Sequence, residues 1–336
     1  MRQKLFITAF AGILGLALAI YLIVHAGFSE IFALLLVAGW GLLWLLPLHL
    51  LPLALDVLSW KWLLRGEARA RFWFLLWVAL VREAVNGLLP VARVGGEFVG
   101  VRLLAQYGVP ASVAGASIMV EVSLTLVSQF IFTLLGVAVL FVAVGEHALL
   151  LEVLGTLLLA LPLLGAFFWL QIRGGFFTLL QKVTQKILAG YDILGMFGDS
   201  QQLDAEIFRI YSHGRALLVA NAWQLAGFFA GTIEVWFTFW LLHHPLPFWA
   251  ALLMESLGQA LRSAAFVVPG GIGIQEGGFV LFGSAIGIDA DLALAFSLAR
   301  RLREVFLGIP VLLSWVALEG HYMRRLWQQT PTKGGA

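Results

Sequence analysis

The chain has 336 residues, is 61% hydrophobic and only 12% charged, and carries a formal net charge of +2 without a single cysteine. That composition excludes an ordinary soluble domain, and the missing cysteines exclude disulfides, thiolate metal sites and cysteine nucleophiles. A charge this small gives no reason to expect a nucleic-acid partner.

In chain order, residues 1–30 hold a first helix and its loop. The run "LFITAFAGILGLALAIYLIVHA" at 5–26 exceeds the roughly 20 apolar residues that cross a bilayer as helix. Arg2 and Lys4 precede it as in a signal peptide, but it is too long for an h-region and lacks a small-residue cleavage site, so it is expected to be retained. Residues 31–144 form a first repeat: a helix over 31–60, a hairpin over 72–110 and a helix over 112–144. A connecting helix follows at 148–170, then a cytoplasmic amphipathic linker at 171–214 with its break at Gly198, Asp199 and Ser200. A second repeat spans 215–320, with its hairpin at 247–289, and a cytoplasmic tail occupies 321–336. Backbone satisfaction in lipid requires helices or a closed barrel, and no alternating pattern favours the barrel. The expected fold is therefore an all-α polytopic membrane protein, a single helical bundle.

Fourteen of the 21 Lys and Arg residues fall in four segments: Arg2 and Lys4; Lys61, Arg65, Arg69 and Arg71; Arg173, Lys182, Lys186, Arg209 and Arg215; Arg324, Arg325 and Lys333. The positive-inside rule makes these cytoplasmic, along with both termini. The other seven, Arg82, Arg93, Arg102, Arg262, Arg300, Arg301 and Arg303, lie in or beside hydrophobic segments. A buried guanidinium there either recognises a carboxylate or phosphate of a ligand or pins a carboxylate of a neighbouring helix.

Shifting the sequence by 179 places "PVARVGGE" (90–97) over "PGGIGIQE" (269–276), with Pro90 on Pro269, Glu97 on Glu276 and Gly108 on Gly287. The charge bias makes 72–110 start and end inside and 247–289 start and end outside. Two inverted-topology repeats are thus expected, each with a re-entrant helical hairpin made of a longer arm (72–89 or 248–268), the Pro/Gly/Glu tip, and a shorter arm (97–108 or 276–287) too brief to span the core. The tip residues Pro90, Gly95, Gly96, Glu97, Pro269, Gly270, Gly271, Gly273, Gln275 and Glu276 would offer backbone N–H groups and carboxylates at mid-membrane. Asn86, Arg82, Arg93, Arg102 and Arg262 would bind a phosphate or polyol head group beside them. Glu97 and Glu276 could instead bind protons, pair with arginine or simply cap the short helices.

Glu83, Glu121, Gln129, Asn221, Gln224, Glu234, Glu255 and Gln259 are expected to face inward. Glu121 falls opposite Arg300 in the 179 register, so an ion pair across the pseudo-twofold is expected, with Arg300, Arg303 and Glu304 sharing a helix face. Asp56 and the indoles of Trp44, Trp60 and Trp62 read as interfacial anchors. No Walker-type run and no H-E-x-x-H occur, His243 and His244 read as solvated turn residues, and Asp192, Asp199 and Asp204 match a transferase poorly. No metal, cofactor or enzymatic activity is expected.

"REAVNGLLPVARVGGEFVGVRLL" (82–104) and "PGGIGIQEGGFVLFGSAIGI" (269–288) resemble the flippase-like family that includes the membrane region of lysylphosphatidylglycerol synthase, and within it the branch associated with hopanoid biosynthesis. The resemblance implies a bacterial inner-membrane protein that moves a polar-headed lipid between leaflets, with membrane lipids and lipid-biosynthesis enzymes as partners. Because the chain stops about sixteen residues after its last helix, the synthase's soluble aminoacyl-transfer activity is not expected here. The lipid stays open among phospholipid, polyprenyl-linked and hopanoid types. A non-catalytic partner of lipid synthesis and an intramembrane lipid-modifying enzyme are the rival readings.

Overall fold

A computed structural model describes residues 36–64, 66–67, 69–89, 95–144, 200–265, 268 and 273–329, with residues 33, 155, 162, 165, 166, 169 and 171. The helix expected at 5–26, most of 148–170, residues 172–199 of the linker, and Pro90, Arg93, Pro269, Gly270 and Gly271 lie outside the described residues. Every regular element among those described is helical. After a 3-10 turn at Gly39–Trp44 come α1 (Leu45–Leu63), α2 (Phe72–Leu88), α3 (Gly95–Gln106), α4 (Ala111–Val144), α5 (Ser200–Tyr211), α6 (Gly214–Leu241), α7 (Phe248–Ala264), α8 (Ile274–Ser284) and α9 (Ala290–Gln329).

Three stretches, Leu36–Leu63, Ala111–Val142 and Gly214–Leu241, are long and apolar enough to cross a membrane. Large apolar side chains such as Leu218, Val142, Leu313 and Val316 remain mostly exposed on the protein surface, as befits a multi-pass protein solvated by lipid. α5 differs: Leu203, Ile207 and Ile210, spaced along one helical face, are buried with the core of α1 to α4. Of the expected break at Gly198, Asp199 and Ser200, Ser200 alone is among the described residues, and it is the first residue of α5.

α2 and α3 form one helix pair and α7 and α8 another, with 17 and 12 residues in the first and 17 and 11 in the second. α2 stops at Leu89, whose backbone turns extended (ψ 149°) directly before Pro90, because a proline ring disfavours helix in the residue ahead of it. α3 and α8 end alike. Gly108 (φ +93°) and Gly287 (φ +78°) adopt the left-handed conformation, and the next residue donates back to the helix: Val109 N–H to Leu104 O at 3.0 Å, Ile288 N–H to Gly283 O at 2.9 Å. These bonds repeat at a spacing of 179 residues. Upstream of the tips the spacing is 176, since Leu89 N–H bonds Val85 O and Ala265 N–H bonds Leu261 O. The second tip therefore contains three more residues than the first, which a single sliding register conceals.

The packing pairs up in the same manner. α1 lies along α6, α2 packs on α9 as α7 packs on α4, and each short helix leans on the long helix that follows it. Buried residues of α1 to α5, with Ala220 of α6, form one apolar core; residues of α6 to α9, with Ala38, form a second; and Val137 and Leu140 of α4 meet Leu253 and Leu257 of α7 in a third. Charged side chains from both sets converge on one cavity.

Candidate functional site

The cavity measures about 280 Å³ and is lined by eight of the nine described α-helices, α5 being the exception. α1 contributes His49, Asp56 and Trp60; α2 contributes Arg82, Glu83 and Asn86; α3 and α4 add Glu97 and Glu121. From the other set come Glu234 on α6, Glu255, Gln259 and Arg262 on α7, Gln275 on α8, and Arg300, Arg303 and Glu304 on α9. Small residues open the space. A methyl on Gly227 would sit 2.7 Å from the Asp56 carboxylate and one on Gly231 2.8 Å from that of Glu255, so these positions on α6 leave room for neighbouring acids.

Each cavity arginine reaches a carboxylate on another helix. Arg82 binds Glu121 at 2.7 Å and also Glu97, while its guanidinium lies over the Trp60 ring, 4.9 Å from the centroid. Arg300 binds Glu255 at 2.7 Å, Arg303 binds Glu234, and Arg262 lies 3.6 Å from Glu304. Desolvated ions of this kind persist only in company, and the pairs lock helices together. Of the two uses open to a buried arginine, pinning a neighbouring carboxylate is the one observed. Glu121 and Arg300 do not pair with one another as expected across the pseudo-twofold; each is satisfied by a partner on the helix pair it packs against.

The charge balance also departs from expectation. Seven carboxylates face the cavity (Asp56, Glu83, Glu97, Glu121, Glu234, Glu255 and Glu304) against four arginines and one histidine. Asp56 is the one cavity carboxylate with no hydrogen bond or ion pair among the described residues. It is a wall residue rather than an interfacial anchor. Trp60 is likewise no anchor: it is 1% exposed and its indole N–H donates to Ser117 Oγ at 3.1 Å, whereas Trp44 is 67% exposed. Burial at these positions follows from the cavity lying against α1, which no local pattern announces.

Among the tip residues, Asn86, Glu97 and Gln275 line the cavity and Glu276 does not. Asn86 accepts the Gly96 N–H at 2.8 Å and donates to Glu97 at 3.2 Å, and a side chain at Gly96 would collide with the Arg82 carbonyl and Asn86, so this glycine permits close packing of α2 on α3. Gly95 opens α3 beside it. Gly273 takes φ +81° ahead of α8, and its N–H donates to Glu276 at 2.6 Å; Glu276 also accepts from Ser297 and Arg301, each at 3.3 Å. Glu276 is thus a helix cap and ion-pair partner. Arg102 lies away from the cavity, half exposed and bonded to Glu319 on α9. Gln275 accepts from Arg262 at 3.2 Å, and Glu304 from Arg301 at 3.2 Å. Gln129, Gln224, Glu234 and Glu255 are buried as expected, and Asn221, Ser128, Gln224 and Thr125 form one hydrogen-bonded chain between α4 and α6. His243 and His244 sit exposed in the turn after α6.

His49 was not singled out by the sequence. Its Nδ1 is 2.9 Å from Glu234 and its Nε2 2.9 Å from Glu83, which ties α1 to both α6 and α2. The signal available was a histidine placed two helical turns before Asp56, inside a run of leucine.

A family model described as "Lysylphosphatidylglycerol synthase TM region" matches residues 10–311. No curated protein and no solved structure matches the chain.

Proposed function

Because this chain belongs to the lysylphosphatidylglycerol synthase transmembrane-region family, we propose that it is a carrier, not an enzyme, that moves a polar-headed lipid across the bacterial inner membrane. The observation that carries the reading is a charged cavity walled by both helix pairs in a protein otherwise built to sit in lipid. A polar head group pays several kcal/mol to enter hydrocarbon, on the order of 2–4 for a charged one, and fixed dipoles and ions in a cavity replace part of its lost hydration. About 280 Å³ approaches the lower end of ligand-pocket sizes and suits a head group, with the acyl chains left in the bilayer.

The two hairpins enter from opposite leaflets as inverted repeats in this reading. α3 and α8, at 12 and 11 residues, rise only about 18 Å and 16 Å, well short of a core of about 30 Å. Both termini lie in the cytoplasm by the loop charge bias. Asp56 has no hydrogen bond or ion pair among the described residues and can accept from a hydroxyl or ammonium group of the head, while each cavity arginine is paired with a carboxylate of a neighbouring helix. Such heads occur on phospholipid, polyprenyl-linked and hopanoid lipids alike, and lipid-biosynthesis enzymes supply them.

The experiment is head-group accessibility of labelled lipids in liposomes containing the purified protein. Wild type should move lipid at least tenfold faster than protein-free liposomes, and Leu80→Trp, which puts an indole into the cavity without touching a charge, should lose most of that rate. Equal rates with and without protein would remove the carrier reading. Appearance of a chemically altered lipid would establish an enzyme instead.

A further inference from the structure

The geometry around His49 asks for one more proton than a neutral imidazole brings. Glu83 and Glu234 approach the two ring nitrogens at 2.9 Å each, and an ionised carboxylate can only accept. A neutral ring has one N–H, so its bare nitrogen would face a carboxylate oxygen lone pair to lone pair. A second proton, held by the ring or shared with a carboxyl, removes that conflict. Glu234 is also bound by Arg303 through its other oxygen, which keeps it ionised, so the extra proton belongs to His49 and Glu83.

The two carboxylates are not equivalent in access. The Glu83 side chain keeps 36% exposure in the cavity and that of Glu234 only 4%, so water reaches the ring from the Glu83 side. The charged groups that line the cavity with the ring are, by element, Asp56 on α1 itself, Arg82 and Glu83 on α2, Glu97 on α3, Glu121 on α4, Glu234 on α6, Glu255 and Arg262 on α7, and Arg300, Arg303 and Glu304 on α9. The arginines stay charged across any practical pH and hold Glu97, Glu121, Glu234, Glu255 and Glu304; of the two acids they do not bind, Glu83 and Asp56, Glu83 is the one that touches the ring, so the proton loads and unloads at the His49 and Glu83 pair, with Asp56 the other titratable group in the wall. With the proton present, α2 is tied through the ring to α1 and α6. Without it, the attraction on the exposed Glu83 side becomes repulsion, and the long arm of the first hairpin is the element released.

We infer that His49, Glu83 and Glu234 form the proton-binding site through which this protein couples lipid movement to a transmembrane proton gradient. The inference rests on the carrier reading above. One proton moves per event: it binds at the triad from cavity water on the acidic side, and returns to water on the alkaline side.

Two measurements test it. In ¹⁵N-histidine spectra of the protein in bilayers, the signals lost in His49→Gln should show both ring nitrogens protonated at mildly acidic pH and one losing its proton as pH rises. A His49 that stays singly protonated across the range overturns the site. In liposomes, a gradient of about one pH unit should shift the lipid ratio between leaflets by up to about tenfold in wild type. His49→Arg, which puts a fixed cation where the titratable ring was, should lose the shift, read in both proteins as the leaflet ratio with the gradient relative to the ratio without it. Lipid movement by wild type that ignores the gradient, or an unchanged shift in His49→Arg, overturns the coupling alone. No lipid movement by wild type at any gradient removes the carrier reading and the coupling together.

Discussion

The two helix pairs share a backbone and differ in the ion pairs built on it: the second carries an inverted pair that the first lacks. In the first, the cation sits on the long arm (Arg82 of α2) and the anion on the helix that follows the pair (Glu121 of α4); in the second, that arrangement recurs in Arg262 of α7 with Glu304 of α9 and is joined by its inverse, Glu255 of α7 with Arg300 of α9. Glu121 and Arg300 occupy equivalent places 179 residues apart. An ion pair can be inverted without altering the packing it enforces, because its attraction is symmetric in sign. What must stay fixed is the backbone that brings the partners together, and the glycines that end α3 and α8 do so bond for bond.

The pairs also differ in redundancy. Arg82 has two carboxylates, Glu97 and Glu121, whereas Arg300 has Glu255 as its one ion-pair partner among the described residues. Arg300→Met should therefore be the most damaging single change: it strands Glu255, 2% exposed, and breaking such a pair costs about 3–5 kcal/mol. Thermal unfolding in detergent should show the largest drop here, and Glu255→Arg combined with Arg300→Glu should recover much of it. Glu121→Gln, by contrast, leaves Arg82 with Glu97 and should cost less, about 1–3 kcal/mol. If the two losses were equal, redundancy would not be the distinction.

Close packing sharpens the comparison further. At Gly136, where α4 meets α7, a methyl would collide with Ser256 Oγ and lie 2.7 Å from its Cβ, an atom close to backbone; at Gly308, where α9 meets α2, it meets only the flexible end of Leu88 at 2.5 Å. Gly136→Ala should cost about 1–3 kcal/mol and Gly308→Ala clearly less, readable in the same unfolding assay. Gly273→Ala, at φ +81°, should cost roughly 1–2 kcal/mol through backbone strain. Arg102→Ala is the smallest change, about 0–1 kcal/mol, since its bridge to Glu319 is half exposed.

Chain periodicity and composition were enough to place the arms of the two helix pairs, though the last helix, expected to end at 320, runs on to Gln329. The long arms anticipated at 72–89 and 248–268 are observed at Phe72–Leu88 and Phe248–Ala264, and the short arms begin within two residues of expectation. That succeeds because a helix in lipid must satisfy its own backbone, so hydrophobic runs and Pro/Gly interruptions carry the boundaries directly. The inward-facing acids were legible for a related reason: a charge in an apolar run has nowhere else to go.

Sequence by itself thus determined that this is a helical membrane protein with two similar, broken helix pairs rich in buried Arg and Glu. Tertiary structure alone decided which charge meets which, that Asp56 and Trp60 wall a cavity, that Glu276 is a cap, and that His49 joins Glu83 to a Glu234 lying 185 residues away. The reason is physical: helix formation is a local transaction between neighbouring residues, whereas the partner of a buried charge is chosen by how distant helices cross, and no short stretch of chain contains that information.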